Sequence, residues 1–363
     1  MTQITLHHIT KSYDGQNAAL HDINLTIADG ETVSVVGPSG CGKSTLLKIV
    51  AGLEFPEQGQ IFYNGHDVTE IKPQARGVGM VFQDYALYPT RRGEGNLAYF
   101  FEVHQRSAAE EQARIKATAD LMGVDFAWLL GRTPDTLSGG QQQRVAIARC
   151  IVRDPNLFLM DEPIVNLDAK LRERTRMEIK KLLRQFAITT LYVTHDQQEA
   201  IFMGDRIAVM RRGRIEQIGT FDELYYTPAN LFVATFIGAP PISVLPATLE
   251  NGQLTLANTT WPLPAELGDR LPVGAVRVGV RPEGWRLDAP TGAALTVRHI
   301  ERIPTQQAAF IHGTLAGSAV TALAPLDYPT VHTLAVAPLW ENALFFAAEG
   351  EAILHTPGTP DLF

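Results

Sequence analysis

Up to about Gly238 the chain alternates short apolar runs with longer stretches whose apolar residues recur every three or four positions. The runs "TVSVV" (32–36), "NLFLM" (156–160) and "TLYVT" (190–194) have little polar alternation, which predicts strands buried on both faces of a largely parallel sheet. From 168 to 186, Leu171, Thr175, Ile179, Leu182, Leu183 and Phe186 fall on one side, the period of an amphipathic helix. "AAEEQARIKATADLMG" (108–123) predicts another. Strands and helices in alternation predict an α/β fold built in layers.

After Gly238 long helical patterns become scarce. "ATLENGQLTL" sets Asn251-Gly252 between two alternating runs, the signal of a two-residue hairpin, and "VRVGVRPEGWRL" and "EAILHTP" read as short strands. A first domain over 1–238 and a β-rich second domain over 239–363 are therefore expected. The most apolar stretch, "LFVATFIGAPPISVLPATL", is broken by Pro240, Pro241 and Pro246, so it predicts a buried segment and a linker instead of a membrane span. "MTQITLHHITKSYDG" has neither the basic region nor the apolar core of a signal peptide, and none is expected.

Composition narrows the function classes. With 45% hydrophobic and 19% charged residues among 363, the chain can fill sizeable cores, which disfavours wholesale disorder. A formal charge of −8 disfavours non-specific nucleic-acid or anionic-membrane binding, so no nucleic-acid partner is expected. Two cysteines, Cys41 and Cys150, fit a reducing compartment, not a disulfide framework.

The chemistry is concentrated in a few short segments. "GPSGCGKST" satisfies G-x-x-x-x-G-K-[ST] at Gly37, Gly42, Lys43 and Ser44, directly after a strand and opening a helix. Its backbone, with Pro38, Ser39, Gly40, Cys41 and Thr45, can wrap phosphates; Lys43 supplies a compact positive charge and Ser44 a hydroxyl for Mg²⁺. Cys41 sits where a helix N-terminus should favour the thiolate. "NLFLMDEP" delivers Asp161 and Glu162 to the end of a strand, where one carboxylate can help hold Mg²⁺ and the next can orient or deprotonate a water. Alone, such a pair is more often a turn or a helix cap, and it is the P-loop in the same sheet that reverses the reading. "TLSGGQQQRVAIAR" (136–149) offers a second glycine-rich helix start, again suited to an anion.

Taken together, these segments resemble the ATPase subunit of an ABC transporter, in the subfamily that powers carbohydrate importers of the maltose type. "LSGGQQQRVAIAR" is similar to the family's signature segment, "MDEP" to its Walker B end, "VFQDYALYP" to its Q-loop and "YVTHDQQEA" to its switch-histidine region. The likeness extends into "VRPEG" (280–284). It implies a P-loop NTPase domain with a helical subdomain at about 90–150, followed by a β-rich, OB-like (TOBE-type) regulatory domain. It also implies hydrolysis of ATP with Mg²⁺ and head-to-tail pairing as a homodimer or with a paralogous ATPase. Two membrane permease subunits and, indirectly, an extracytoplasmic solute-binding protein would be the partners, at the cytoplasmic face of the membrane. The solute would be a sugar, polyol or glycerol phosphate, with a polyamine or metal ion as the alternative.

The same resemblance implies roles for single residues. Tyr13 would stack on adenine, against the plainer reading of a tyrosine capping the core. Gln83 would touch Mg²⁺ and the attacking water, and His195 the γ-phosphate. Glu162 would be the base; Ser44 and Asp161 would hold the metal with Gln83. Ser138, Gly139, Gly140 and Gln141 would close over ATP held by the partner chain, and Asp168 would lie in the loop crossing that interface. Two departures stand out. Val165 replaces the family's usual serine, and "TRRGEGN" (90–96) replaces an apolar stretch. In that expected loop, Arg91, Arg92 and Glu94 would meet a membrane subunit, with Gly93 and Gly95 supplying backbone freedom. A soluble ABC ATPase acting on ribosomes or DNA fits less well, because there is neither a second cassette nor a long coiled-coil insertion. A mainly regulatory binding module is the other alternative.

Overall fold

The computed structural model describes the chain except residues 1, 14, 16, 17, 124, 165–168, 257, 258, 350, 352 and 356–363. It divides into two compact units, Met1–Ile218 and Gly219–Phe363.

In the first unit, β1 (Ile4–Ser12), β2 (Ala18–Ile27), β4 (Gln58–Tyr63) and β5 (His66–Asp67) form an antiparallel sheet ordered β2-β1-β4-β5. The larger sheet contains β3 (Thr32–Val36), β6 (Val78–Val81), β7 (Leu157–Asp161), β8 (Thr189–Thr194), β9 (Arg206–Arg211) and β10 (Arg214–Gly219), ordered β10-β9-β3-β8-β7-β6. Its five strands from β9 to β6 are parallel. Every residue of β3 and β8 is buried, as their apolar runs require of strands covered on both faces. Because these strands run the same way, the segments following β3, β6, β7 and β8 leave from one edge, where open α/β sheets bind ligands.

Helix α1 (Lys43–Ala51) follows β3 and stops at Gly52, whose left-handed conformation (φ 75°) returns its N–H to Ile49 and Lys48. Then α2 (Gly93–Val103), α3 (Ala108–Met122), α4 (Phe126–Leu130) and α5 (Gly139–Ile151) enclose a core that includes Leu97, Phe101, Ile115, Phe126, Val145 and Ile147. In α6 (Ala169–Phe186), Thr175, Ile179 and Leu183 are buried on the face that the sequence period marks. Helix α7 (Gln197–Met203) follows β8.

Among its described residues the second unit carries two sheets. Asn251 (φ 50°) and Gly252 (φ 71°) turn the expected hairpin between Ser243–Glu250 and Gln253–Leu256, with Glu250 opposite Gln253. The break between units falls after Ile218, ahead of the expected boundary at Gly238, because α8 (Phe221–Tyr226) and α9 (Leu231–Phe236) belong to the β-rich unit. Buried Arg281 donates to the carbonyls of Ile237 at 2.5 Å and Tyr225 at 2.8 Å, and the Tyr225 hydroxyl donates to Glu283 at 2.9 Å. Ala234 packs with Ile242, Leu344 and Phe346. These contacts join residues far apart in sequence, so the alternation pattern does not carry them. Among the described residues, no helix is long and apolar enough to cross a membrane.

Candidate functional site

The loop from Gly37 to Gly42 is shaped by what surrounds it. A Cβ on Gly37 would lie 2.1 Å from the Met210 carbonyl oxygen, and Gly42, capping α1 with φ 108°, adopts a backbone that side chains resist. Pro38, Ser39 and Gly40 form the exposed crest. The buried Lys43 ammonium folds under it, donating to the carbonyls of Gly37 at 2.9 Å and Pro38 at 3.2 Å. Its charge is thus held at the loop by acceptors that an anionic ligand would replace. Tyr13 is 59% exposed and donates to Thr45 Oγ1 at 3.5 Å, so it stands beside the loop and does not cap the core.

Cys41 departs from expectation. Its thiol is buried, and burial pushes its pKa up, against a smaller opposing pull from Lys43. Desolvation of a thiolate outweighs the favourable helix terminus here.

At the carboxyl edge of the sheet two polar pairs stand side by side in sequence. Ser44 Oγ donates to Asp161 Oδ1 at 3.2 Å across 117 residues. Burial raises the Asp161 pKa, the Ser44 hydrogen bond opposing it. The next residue, Glu162, holds a left-handed backbone (φ 46°) fixed by its N–H donating to Val193 O at 2.9 Å. That turn brings Glu162 Oε2 to 3.0 Å from His195 Nδ1, immediately beyond β8. Ser44, Asp161, Glu162 and His195 are therefore joined in two pairs by the P-loop and the ends of β7 and β8. Their oxygens can share a hard cation with phosphates, and a carboxylate beside an imidazole can handle the proton of a water. Gln83 follows β6 and is exposed at the same edge.

The second glycine-rich segment forms its own cluster. Ser138 caps α5, accepting from Gln141 N at 3.4 Å, while Gln141 Oε1 accepts from Ser138 N at 2.9 Å, a reciprocal capping box. Ser138, Gly140 and Gln141 line a cavity of about 530 Å³ with Trp128, Arg174 and Glu178; Gly139 is half-buried beside them. Val165 and Asp168 lie outside the described residues.

"TRRGEGN" is mostly not a loop: α2 begins at Gly93. The glycines supply no positive φ; instead a Cβ on Gly93 would come 2.5 Å from Leu129 O, so close helix packing explains it. Arg91 is engaged within the chain, pairing with Glu102 at 2.7 Å and lying over the Tyr99 ring. Two residues that sequence reasoning missed organise this region. Asn96 is fully buried and bonds Tyr88, Arg91 and Arg92, and Arg149 donates to the carbonyls of Ala86 at 2.5 Å and Tyr85 at 3.0 Å. Tyr85 and Ala86 both have positive φ, 62° and 45°. A short motif match carries no signal for such long-range anchors. Between this segment and the sheet lies a cavity of about 560 Å³, rimmed by the exposed apolar residues Leu53, Tyr88 and Val103.

A model described as ABC transporter matches residues 20–165. The chain is 49% identical over 286 residues to the sn-glycerol-3-phosphate import ATP-binding protein UgpC of Chromohalobacter salexigens, covering 78% of this chain and 75% of that one. It is 42% identical over 366 residues to the protein of the same name from Vibrio cholerae, covering 97% and 95%. The chain belongs to the ABC transporter family. Among solved structures, a dimeric ATP-binding cassette, MJ0796, in a post-hydrolysis state bound to ADP and Pi, is 33% identical. It covers 60% of this chain and 98% of the cassette, with a TM-score of 0.53. CbiO1 of Clostridium perfringens, part of the ABC transporter complex cbiONQ, is 25% identical and covers 60% and 88%, with a TM-score of 0.55. This ABC ATPase thus binds and hydrolyses ATP, and its P-loop and the end of β7 fall within residues 20–165, whereas His195 lies beyond them.

Proposed function

We propose that this ABC ATPase energises a membrane importer for a glycerol phosphate, sugar or polyol. The observation that carries this reading is the placement of Ser44–Asp161 and Glu162–His195 at one edge of the parallel sheet, beside the P-loop. The solute class rests on the relatives, which are named for sn-glycerol-3-phosphate import.

Residues Gly37 to Thr45 wrap the phosphates of ATP, Lys43 turning from its own loop's carbonyls to the β- and γ-phosphates, and Tyr13 covers adenine. Ser44, Asp161 and Gln83 would hold Mg²⁺. Their donors are oxygens, the ligand type a hard cation takes. When bound, Mg²⁺ neutralises phosphate charge. Glu162 takes the proton of the attacking water, and His195 aligns it with the γ-phosphate.

Two chains pair head to tail, Ser138–Gln141 of one closing over ATP held by the other and Asp168 lying in the crossing loop; a paralogous ATPase can replace the second copy. The cavity rimmed by Leu53, Tyr88 and Val103 is the proposed seat for a cytoplasmic helix of the permease, with the chain working at the cytoplasmic face of the membrane. The solute-binding protein engages only through the permease. The β-rich unit is an OB-like, TOBE-type regulatory domain.

Glu162→Gln tests the chemistry. Turnover should fall on the order of 10²–10⁴-fold, and ATP with Mg²⁺ should trap a dimer in size-exclusion chromatography with light scattering. Wild-type turnover in the variant would refute the role of Glu162. For the solute, ATPase activity of the subunit reconstituted with its permease and binding protein should rise with glycerol 3-phosphate or a sugar. Stimulation by spermidine alone would overturn the class.

A further inference from the structure

Beside His195 lies a buried acid to which the proposed reaction assigns no part. Glu199, on α7, is 4% exposed, and it accepts hydrogen bonds from the Tyr192 hydroxyl and, at 3.0 Å, from Thr194 Oγ1. Thr194 Oγ1 in turn accepts the Asp196 N–H at 3.1 Å, bridging the two residues that flank His195. The Asp196 carboxylate closes the other side by accepting from the N–H groups of Gln198 at 2.8 Å and Glu199 at 3.2 Å. Tyr192 and Thr194 are buried, whereas the His195 side chain is half-exposed and reaches Glu162. Tyr192, Thr194 and Glu199 are therefore inside, and the imidazole between Thr194 and Asp196 is turned outward.

We propose that Glu199 is a positioning residue for His195, orienting the Thr194 hydroxyl so that the turn from Thr194 to Asp196 holds the imidazole against Glu162. The direction of the Thr194 hydrogen bond is the key. A hydroxyl with one proton can donate to Glu199 and still accept from Asp196, but without a carboxylate acceptor it is free to turn away. The groups facing Glu199 are Tyr192 and Thr194 on β8, Asp196 before α7, and Arg176 on α6, whose positive charge acts on both Glu199 and Tyr192. Arg176 Nε is buried with no hydrogen-bond partner among the described residues, and its guanidinium lies over the Phe202 ring at 4.9 Å. Burial raises the Glu199 pKa while the two hydroxyl donors oppose it, so the carboxyl is held by the geometry around it. A small displacement of a catalytic side chain is enough to slow a reaction strongly without weakening substrate binding.

The inference deepens the role proposed for His195, and its test separates the two. Glu199→Gln turns one acceptor oxygen into a donor, and Thr194→Val removes the hydroxyl at nearly constant volume. In the purified full-length chain, each should lower ATPase kcat on the order of 10–100-fold. KM for ATP should stay within about twofold. Combined with His195→Ala, each should slow the enzyme no further than His195→Ala alone, the mark of residues acting as a unit. Circular dichroism melts identify a variant that does not fold, in which case the other variant gives the same readout. Wild-type kcat in both single variants, or losses that multiply in the double variants, overturn the positioning role. If His195→Ala itself turns over normally, the role of His195 fails and this inference with it; a slow His195→Ala with unaffected Glu199→Gln and Thr194→Val refutes the inference alone.

Discussion

Replacing Asn96 by alanine should loosen the segment that follows β6 while leaving the P-loop intact. The Asn96 Oδ1 accepts the Tyr88 N–H at 2.8 Å, and its amide donates to the carbonyls of Tyr88 at 3.2 Å, Arg91 at 3.0 Å and Arg92 at 3.2 Å. Alanine removes all four. A typical intramolecular hydrogen bond contributes about 1 kcal/mol net, and an N–H left without an acceptor costs about 1–3 kcal/mol. The carbonyls lie on a partly exposed segment and can turn to water, so the expected loss is about 2–4 kcal/mol, not the full sum. In a unit the size of Met1–Ile218, that lowers the melting temperature by about 5–15 °C. Scanning calorimetry on the full-length chain reads this directly. Affinity for a fluorescent ATP analogue, measured without Mg²⁺ and below the transition, should be unchanged, since β7 and β8 stand between β6 and the P-loop strand β3. A drop smaller than about 2 °C would mean that water replaces the Asn96 network without loss, and the argument would fail.

Asp161→Asn should separate stability from activity. Burial raises the Asp161 pKa, so the native state binds that proton more tightly than the unfolded chain, and stability falls as pH rises from the ordinary carboxylate range through the raised value. At pH 7 the variant should therefore melt higher than the parent while Mg²⁺-dependent turnover collapses, and the difference in melting temperature should shrink on acidification; a lower melting temperature at pH 7 contradicts this. Cys41, buried and with its thiol pKa pushed up, should react with iodoacetamide more slowly at pH 7 than a free cysteine and faster as pH rises, with ATP slowing it further. Mass spectrometry of the Cys41 peptide checks it, and labelling as fast as that of free cysteine at pH 7 would restore the thiolate.

The parts of the site that were legible from sequence are those written in contiguous residues. The P-loop, Asp161 and Glu162 after an apolar run, and His195 after another are each set by a strand and the turn beyond it. Parallel pairing of β3, β8 and β7 then brings them to one edge. The hairpin at Asn251-Gly252 was legible for the same local reason. What was not legible depends on distant partners. The start of α2 at Gly93 answers to Leu129, the grip of Arg149 reaches Tyr85 and Ala86, and the break before Gly219 follows from Arg281. Cys41 was misread because its sequence position announces a helix terminus but not the burial that outweighs it.

The left-handed backbone at Glu162 bears on how this chain can be altered. A side chain with a Cβ costs about 1–2 kcal/mol in that conformation relative to glycine, so selection for folding alone favours glycine or asparagine there. On the role proposed for Glu162 as the base, the carboxylate persists against that pull only where turnover is also selected. Heat-hardening of this chain by consensus or library methods would thus drift toward an inert protein unless position 162 were held fixed, because the same turn that strains Glu162 is what aims it at His195.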